Sequence, residues 1–285
     1  LPLVPKEKRD PRVTTTYGTG ELIKAALAEG LAKIIIGIGG SATNDGGTGM
    51  ARFLCVLFLD AAGQGVAAGG GSLAEICQID TTGLDPRLKN TEIVVACDVD
   101  NPLCGTRGAS AVFGPQKGAT PEMVQQLDAG LAKYASCARQ ATGRDVAEKA
   151  GAGAAGGLGA GLMFFTPAQL KPGVEIVLDA VGFSDVVRAA DFVITGEGRT
   201  DFQTAFGKAP VGVAKVAKTH GAPVFCISGG LGEGADDVLA QGIDAVMSIC
   251  DRSLSLEECM AAGAQLIEPA AARLCRIVMA VRKSQ

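Results

Sequence analysis

The sequence predicts an α/β protein of two lobes, built on mainly parallel sheets flanked by helices, with a second lobe of flavodoxin or Rossmann kind. Two observations carry this expectation. Short, nearly all-apolar runs bounded by Gly, Asp or Pro alternate with helical patterns along the chain, as strands buried on both faces alternate with crossover helices. Glycine-rich segments follow several of these runs directly, at the strand carboxyl ends where open α/β sheets bind their ligands.

In chain order, a helix is expected over Thr19–Leu31 and a strand over Ala32–Gly37, built on Ile34-Ile35-Ile36. Glu92–Asp98 is the next strand. Thr120 followed by Pro121 supplies an N-cap hydroxyl and a proline at the first helical position, which starts a helix over Thr120–Ala141. Beyond residue 183 the units shorten. Strands Asp191–Thr195, Pro223–Ser228 and Asp244–Ile249 alternate with helices Ala209–His220, Asp236–Gln241 and Leu256–Val281. Two glycine-rich stretches interrupt the middle, AAGQGVAAGGGS (61–72) and GAGAAGGLGAGL (151–162). The second runs into Met163, Phe164 and Phe165, so it reads as a close-packing segment against a sheet or ligand rather than a linker. The change in pattern places a lobe boundary near 185–190, giving lobes 1–188 and 189–285.

Composition narrows the function. A chain of 285 residues exceeds the usual single core, and 47% apolar residues suffice for burial. Lys and Arg number 26 against 30 Asp and Glu, a net charge of −4, and no cationic block is present. Nucleic-acid and anionic-membrane partners are therefore disfavoured, and a small anionic ligand is expected. The nine cysteines never fall at C-x-x-C spacing and most lie in apolar runs, which reads as a reduced, cytoplasmic protein. No run approaches the ~20 apolar residues of a membrane span, and LPLVPKEKRDPR lacks the order of a signal peptide. Residue 1 is leucine, so the chain reads as processed or as a fragment.

Three loops could carry chemistry. The first, GIGGSATNDGGTGM (37–50), holds six glycines after an apolar strand. Gly37-x-Gly39-x-x-Ala42 fits a dinucleotide pattern, with Asp60 near the distance of a ribose-binding acid, but that pattern needs a helix at once and the residues up to Gly49 keep the chain irregular. No Gly-Lys-Ser/Thr occurs, so a Walker A loop is absent. What remains is a nest of backbone N–H groups joined by Ser41, Thr43 and Asn44, suited to an anion such as phosphate, with an ordinary glycine-rich turn as the alternative. The second loop follows Glu92–Val99. Asp98 falls at a strand end, and Asp100, Asn101, Arg107 and Lys117 crowd the same segment, where simple turn chemistry before Pro102 is the competing reading. The third, in the segment Asp191 to Lys208, sets Glu197, Arg199, Asp201 and Lys208 between a strand and a helix. Two carboxylates can hold Mg²⁺ beside phosphate, and two cations can neutralise a transferring phosphoryl group; the alternative is a surface loop whose charges pair with one another.

Absences matter too. The only histidine, His220, falls at a helix end, so histidine metal sites and Ser-His-Asp hydrolysis have no candidate. Two tyrosines and no tryptophan give no base-stacking platform.

Together the stretches TTTYGTGEL (14–22), IIIGIGGSATNDGGTGM (34–50), ACDVDNPLCG (96–105), ASAVFGPQKGATPEM (109–123), GAGAAGGLGAGL (151–162) and DFVITGEGRTDFQTAFGKAPVGVAK (191–215) closely resemble the bacterial-type glycerate kinases of the first group. The resemblance implies ATP-dependent, Mg²⁺-assisted phosphorylation of D-glycerate between two lobes. It also implies an N-terminal α/β segment ahead of the position matching Leu1, with an Asp-Ser-Phe-Lys-type stretch near the active site, that pairs with the lobe from about 190 onward. This sequence departs from the family's pattern after Met50, where the family tends to carry a glycine near Cys55 and a polar or basic residue near Leu57.

Carried onto this chain, the resemblance gives expected roles. ATP would meet Gly39, Gly40, Ser41, Thr43, Asn44, Gly46, Gly47, Gly196 and Glu197. Mg²⁺ would use Asp98, Glu197, Asp201 or Asp45. Asp45, Asp201, Lys208 and Arg199 would be catalytic, with Asp45 or Asp201 positioning the hydroxyl, and Asn101, Arg107 and Lys117 would hold glycerate. An NAD(P)-dependent oxidoreductase and an inactive nucleotide-binding fragment are the competing readings. The oligomeric state is not legible.

Overall fold

The Ile34-Ile35-Ile36 run forms a strand, as its β-branched composition dictates, and the first glycine-rich loop follows it. The computed structural model describes residues 1–282 and divides into two units, Leu1–Lys171 and Pro172–Gln285.

In the first unit, helix α1 (Tyr17–Ala28) leads into β1 (Lys33–Gly37), α2 (Thr48–Phe53), β2 (Leu57–Leu59), β3 (Gln78–Asp80) and β4 (Glu92–Ala96). Helices α3 (Ala109–Phe113), α4 (Pro121–Thr142) and α5 (Ala154–Phe165) precede β5 (Gln169–Lys171). β1, β4 and β5 make a parallel sheet in that order, with Ile35 opposite Val94 and Val95 opposite Leu170. β2 and β3 form a separate antiparallel pair. Helix α4 begins as its sequence signals: the Thr120 hydroxyl accepts the Met123 amide, Pro121 follows, and Gly143 closes the helix at φ +70°. Its buried residues Leu131, Tyr134 and Ala138 pack in one core with Phe58, Phe164 and Phe165, whose Phe58–Phe165 rings meet edge to face at 5.9 Å. The stretch 151–162 is a close-packed segment rather than a linker: a turn at 151–153 leads into α5, which is kinked at 155–157.

In the second unit, α6 (Gly173–Ala180) and α7 (Phe183–Val187) precede β6 (Val193–Thr200), α8 (Ala209–Thr219), β7 (Val224–Leu231), β8 (Ala245–Ser248), α9 (Leu256–Ala261) and α10 (Gly263–Arg282). β6, β7 and β8 are parallel and adjacent in sequence order, with β6 and β7 joined across α8 as a β-α-β unit. Val187 of α7 shares a core with Val211, Ala214, Val224 and Cys226. That shared burial draws the segment from Pro172 into the second unit, earlier than the expected boundary at 188.

Several expectations change. The strand expected over Asp191–Thr195 continues to Thr200, because Gly196, Glu197, Arg199 and Thr200 pair with Ile227, Ser228, Gly230 and Leu231 of β7. Residues 235–241, where an α-helix over Asp236–Gln241 is expected, form a 3-10 helix between two glycines in the left-handed region, Gly234 and Gly242. The helix expected over Leu256–Val281 breaks at Ala262 into α9 and α10. Burial on both faces holds for β4 and β7 but not for β1 or β6, where Ile35 is 51% and Ile194 41% exposed. Each of those two strands ends its sheet, so only one flank has a neighbour.

Of the cysteines, Cys137 and Cys226 are buried, whereas Cys55 and Cys77 are exposed. Cys55 has φ +72°, and the Val56 and Cys55 amides bond back to the Ala51 and Arg52 carbonyls, a helix stop that favours glycine. Among the described residues no helix is long and apolar enough to cross a membrane.

Candidate functional site

β1 ends at Gly37, and the chain stays irregular to Gly47 before α2 begins at Thr48. No helix starts behind Gly39 and Gly40, so the dinucleotide pattern lacks the helix it requires. Both glycines face open space, with nothing within 4 Å of a Cβ at either, and Gly40 sits at φ +69°. Ser41 and Thr43 are half-buried, and the Thr14 hydroxyl donates to Ala42 O at 2.8 Å. The Leu1 amine donates to Gly40 O, and with no neighbour at either Cβ position the 39–41 amides make backbone of the kind that binds anions.

The inner half differs from expectation. Asp45 is wholly buried. Its Oδ2 accepts the Thr16 amide at 2.8 Å, the Thr16 hydroxyl at 2.9 Å and the Gly49 amide at 3.2 Å, and its Oδ1 accepts the Gly47 amide at 3.1 Å. Burial pushes its carboxyl above the usual range, opposed by those bonds from Thr16, Gly47 and Gly49. A side chain committed in this way ties the starts of α1 and α2 to the loop. Asn44 is also buried: its Nδ2 donates to the Ser110 hydroxyl at 3.0 Å, while Oδ1 has no hydrogen-bond partner among the described residues.

Lys117 likewise points inward. It is 2% exposed, and Nζ donates to Thr43 O at 2.8 Å. Burial pulls its ammonium down to about 8, with the Asp45 carboxylate opposing. The cation expected to face a substrate carboxylate instead supports the loop from below.

The third glycine stretch stitches the first two loops together, a relation the sequence did not show. Gly46 donates its amide to Gly156 O at 3.0 Å, and a Cβ at Gly161 would lie 2.5 Å from Gly46 O. Ala155, Gly156 and Gly157 all have positive φ, which bends α5 around the loop. At its start, Gly153 donates to Asn101 O at 2.9 Å and packs on Pro102 O. In that second loop the Asn101 amide donates to Arg107 O at 2.8 Å, and Arg107 pairs with Asp100 at 3.0 Å in solvent. Asp98 is exposed beyond the end of β4.

The third loop belongs to the second unit. β6 carries Gly196, Glu197 and Arg199 to its carboxyl end, and Asp201 then caps a short 3-10 helix. Asp201 Oδ1 accepts the Gln203 amide at 3.0 Å, while its own amide donates to the Thr204 hydroxyl at 3.2 Å. Arg199 Nε lies 3.8 Å from Asp201 Oδ2 and Lys208 Nζ 3.9 Å from Oδ1, so both cations converge on one carboxylate. Lys208 also donates to Gln203 Oε1 at 3.4 Å. The Thr204 hydroxyl donates to Glu197 Oε1 at 2.6 Å, linking the two acids through one oxygen. Thr200 reaches the same Glu197 oxygen at 3.1 Å and the Ser228 hydroxyl at 2.6 Å. Thr204 and Thr200 were not singled out from sequence; only the position of Thr204, three residues after a capping acid, signals it. His220 caps the end of α8, with its Nε2 2.8 Å from the Ser184 hydroxyl.

Among the described residues no three His, Cys, Asp or Glu side chains group as a metal cage. The Glu197–Asp201 pair still fits Mg²⁺, which takes one or two carboxylates and completes its shell with water and phosphate oxygens.

Open glycine loops and a cation-carboxylate cluster at strand ends mark an α/β enzyme that handles small anions. A family model described as "Glycerate kinase family" matches residues 1–279, and the chain belongs to the glycerate kinase family. The glycerate kinase of Halalkalibacterium halodurans is 54% identical over 271 residues, covering 95% of this chain and 71% of that protein. The glycerate 2-kinase of Escherichia coli K12 is 53% identical over 258 residues, covering 90% and 68%. A crystal structure from Salmonella typhimurium LT2, assigned as a glycerate kinase 2, superposes with a TM-score of 0.84 at 48% identity, covering 99% of this chain and 74% of that one.

Proposed function

We propose that this enzyme transfers the γ-phosphoryl group of ATP to the 2-hydroxyl of D-glycerate, assisted by Mg²⁺, in the cytoplasm. The observation that carries the reading is the convergence of Arg199 and Lys208 on Asp201, with Glu197 joined to the same cluster through Thr204. Phosphoryl transfer through a loose transition state needs positioned cations and a metal more than a strong base, and that cluster supplies the cations and a metal-binding pair. When bound, Mg²⁺ would neutralise charge on the phosphate oxygens. Arg199 and Lys208 would hold the transferring group, and Asp201 would orient the attacking hydroxyl. The open amides at Gly39, Gly40 and Ser41 suit a phosphate, and exposed Arg107 with half-buried Asn101 suits the glycerate carboxylate. Asp45 and Lys117, both buried, would shape the loop without touching substrate. The choice of the 2-hydroxyl rests on the Escherichia coli relative's designation as a glycerate 2-kinase.

The test is ADP release measured with and without D-glycerate, followed by phosphorus NMR of the product. ADP release that requires both glycerate and Mg²⁺, with 2-phosphoglycerate formed, is expected. Glycerate-independent ADP release, or tight NADH binding in place of ATP, would overturn the reading.

A further inference from the structure

The nine cysteines are all free thiols, yet two of them meet. Cys250 follows β8 and Cys259 lies in α9; their sulfurs are 3.0 Å apart, and both are partly accessible to solvent. Eight residues, Asp251 to Glu258, separate them in sequence, and the ends of that segment are set from two directions. On one side the Cys250 amide donates to the Ser248 hydroxyl at 3.0 Å, and the Cys250 thiol donates to Gly229 O at 3.4 Å. On the other, the Ser255–Glu258 capping box fixes the first turn of α9, and the Cys259 amide donates to Ser255 O at 3.0 Å. The backbone therefore presents both sulfurs to each other before any bond exists, an arrangement that favours closing a disulfide.

We propose that Cys250 and Cys259 are a reversible modification site, which a low-molecular-weight disulfide such as oxidised glutathione converts to an intramolecular disulfide. The Cys259 thiolate attacks the small disulfide, forming a mixed disulfide and releasing one thiol. The Cys250 sulfur then displaces the second half from Cys259. Two protein sulfurs are oxidised, the two sulfurs of the small disulfide are reduced, and the two protein protons end on the two released thiols. The hydrogen bond to Cys250, burial and the Glu258 carboxylate hold the Cys259 thiol above its usual range, so the reaction quickens as pH rises. Oxidation removes the S–H that Cys250 donates to Gly229 O, leaving the Ser248 hydroxyl, at 3.3 Å, as the side-chain donor there. Gly229 stands in β7 beside Gly198 of β6, one residue from Glu197. The link thus reaches the strand ends of the second unit, although the disulfide itself does not depend on the proposed catalytic reading.

The experiment treats the folded protein with oxidised glutathione at mildly alkaline pH, blocks the remaining thiols, and maps tryptic peptides by mass spectrometry. Trypsin cuts after Arg252, so the disulfide joins the peptide carrying Cys250 to the one carrying Cys259. The expected result is that linked pair, reversed by dithiothreitol. Cys250→Ser should leave a glutathione adduct on Cys259, and should also show that Cys226, which shares the Cys250 peptide, is not the partner. Glutathione confined to exposed Cys55 and Cys77, with Cys250 and Cys259 both blocked as free thiols, would overturn the proposal. So would stable separate adducts on Cys250 and Cys259.

Discussion

Gly46 and Gly156 are joined by a 3.0 Å backbone hydrogen bond, and Gly156 at φ +69° lies so close to Thr43 O that a Cβ there would fall on the oxygen. The contact binds the first glycine loop to the bend at the start of α5. Gly156→Ala should therefore strain the backbone and displace the loop at once, destabilising the protein by about 3 kcal/mol. Urea unfolding checks this, and a loss below about 0.5 kcal/mol would show that the loop yields freely.

Cys55 invites the opposite change. At φ +72° it occupies the left-handed position after α2, where a side chain is strained. Cys55→Gly should raise stability by about 0.5–1 kcal/mol, seen as a higher midpoint in thermal unfolding at unchanged turnover. A lowered midpoint would mean that the exposed thiol makes a contact worth more than the strain.

Lys117 predicts a pH signature. Its folded value near 8 lies below the ordinary 10.5, so between those values the unfolded chain binds the extra proton and stability gains a contribution as pH rises. Cys97 and Cys104, which burial keeps protonated, act in the opposite sense above the usual thiol range, so the test is a difference. Between pH 8 and 10 the stability slope of Lys117→Met should be less positive than that of the parent, by up to about 1.4 kcal/mol per pH unit. Equal slopes would place the Lys117 ammonium in contact with water.

Gly40→Val tests the anion nest. Nothing lies within 4 Å of a Cβ there, so the substitution costs only left-handed strain, on the order of 1–3 kcal/mol. The added branches would stand over the open amides of Gly39 to Ser41. ATP binding by calorimetry should weaken at least about tenfold with the circular dichroism spectrum unchanged; unaltered affinity would remove this loop from the site.

Asp201→Asn separates chemistry from capping. Asparagine remains a good N-cap, and the exposed Arg199 and Lys208 contacts at 3.8 and 3.9 Å contribute little to stability, so the fold should lose less than about 1 kcal/mol. The turnover number should fall by about a hundredfold or more, with a smaller change in KM for glycerate. Near-native turnover would leave Asp201 a structural cap.

The sequence by itself determined the α/β class, because alternating apolar runs and helical patterns report burial, which is local to each element. It marked β1, β4 and β7, the Thr120-Pro121 start of α4, and the loops that follow β1 and β4. It also marked Asp201, Arg199 and Lys208 as one cluster, since they are neighbours in the chain. Only the tertiary structure decided that Asp45 and Lys117 turn inward. A carboxylate in a glycine loop looks the same in sequence whether it faces a ligand or the amides of Thr16, Gly47 and Gly49. The stitching of residues 43–47 to 153–161 and the meeting of Cys250 with Cys259 were hidden for the same reason: contact across the fold depends on packing, and packing leaves no periodicity in the chain.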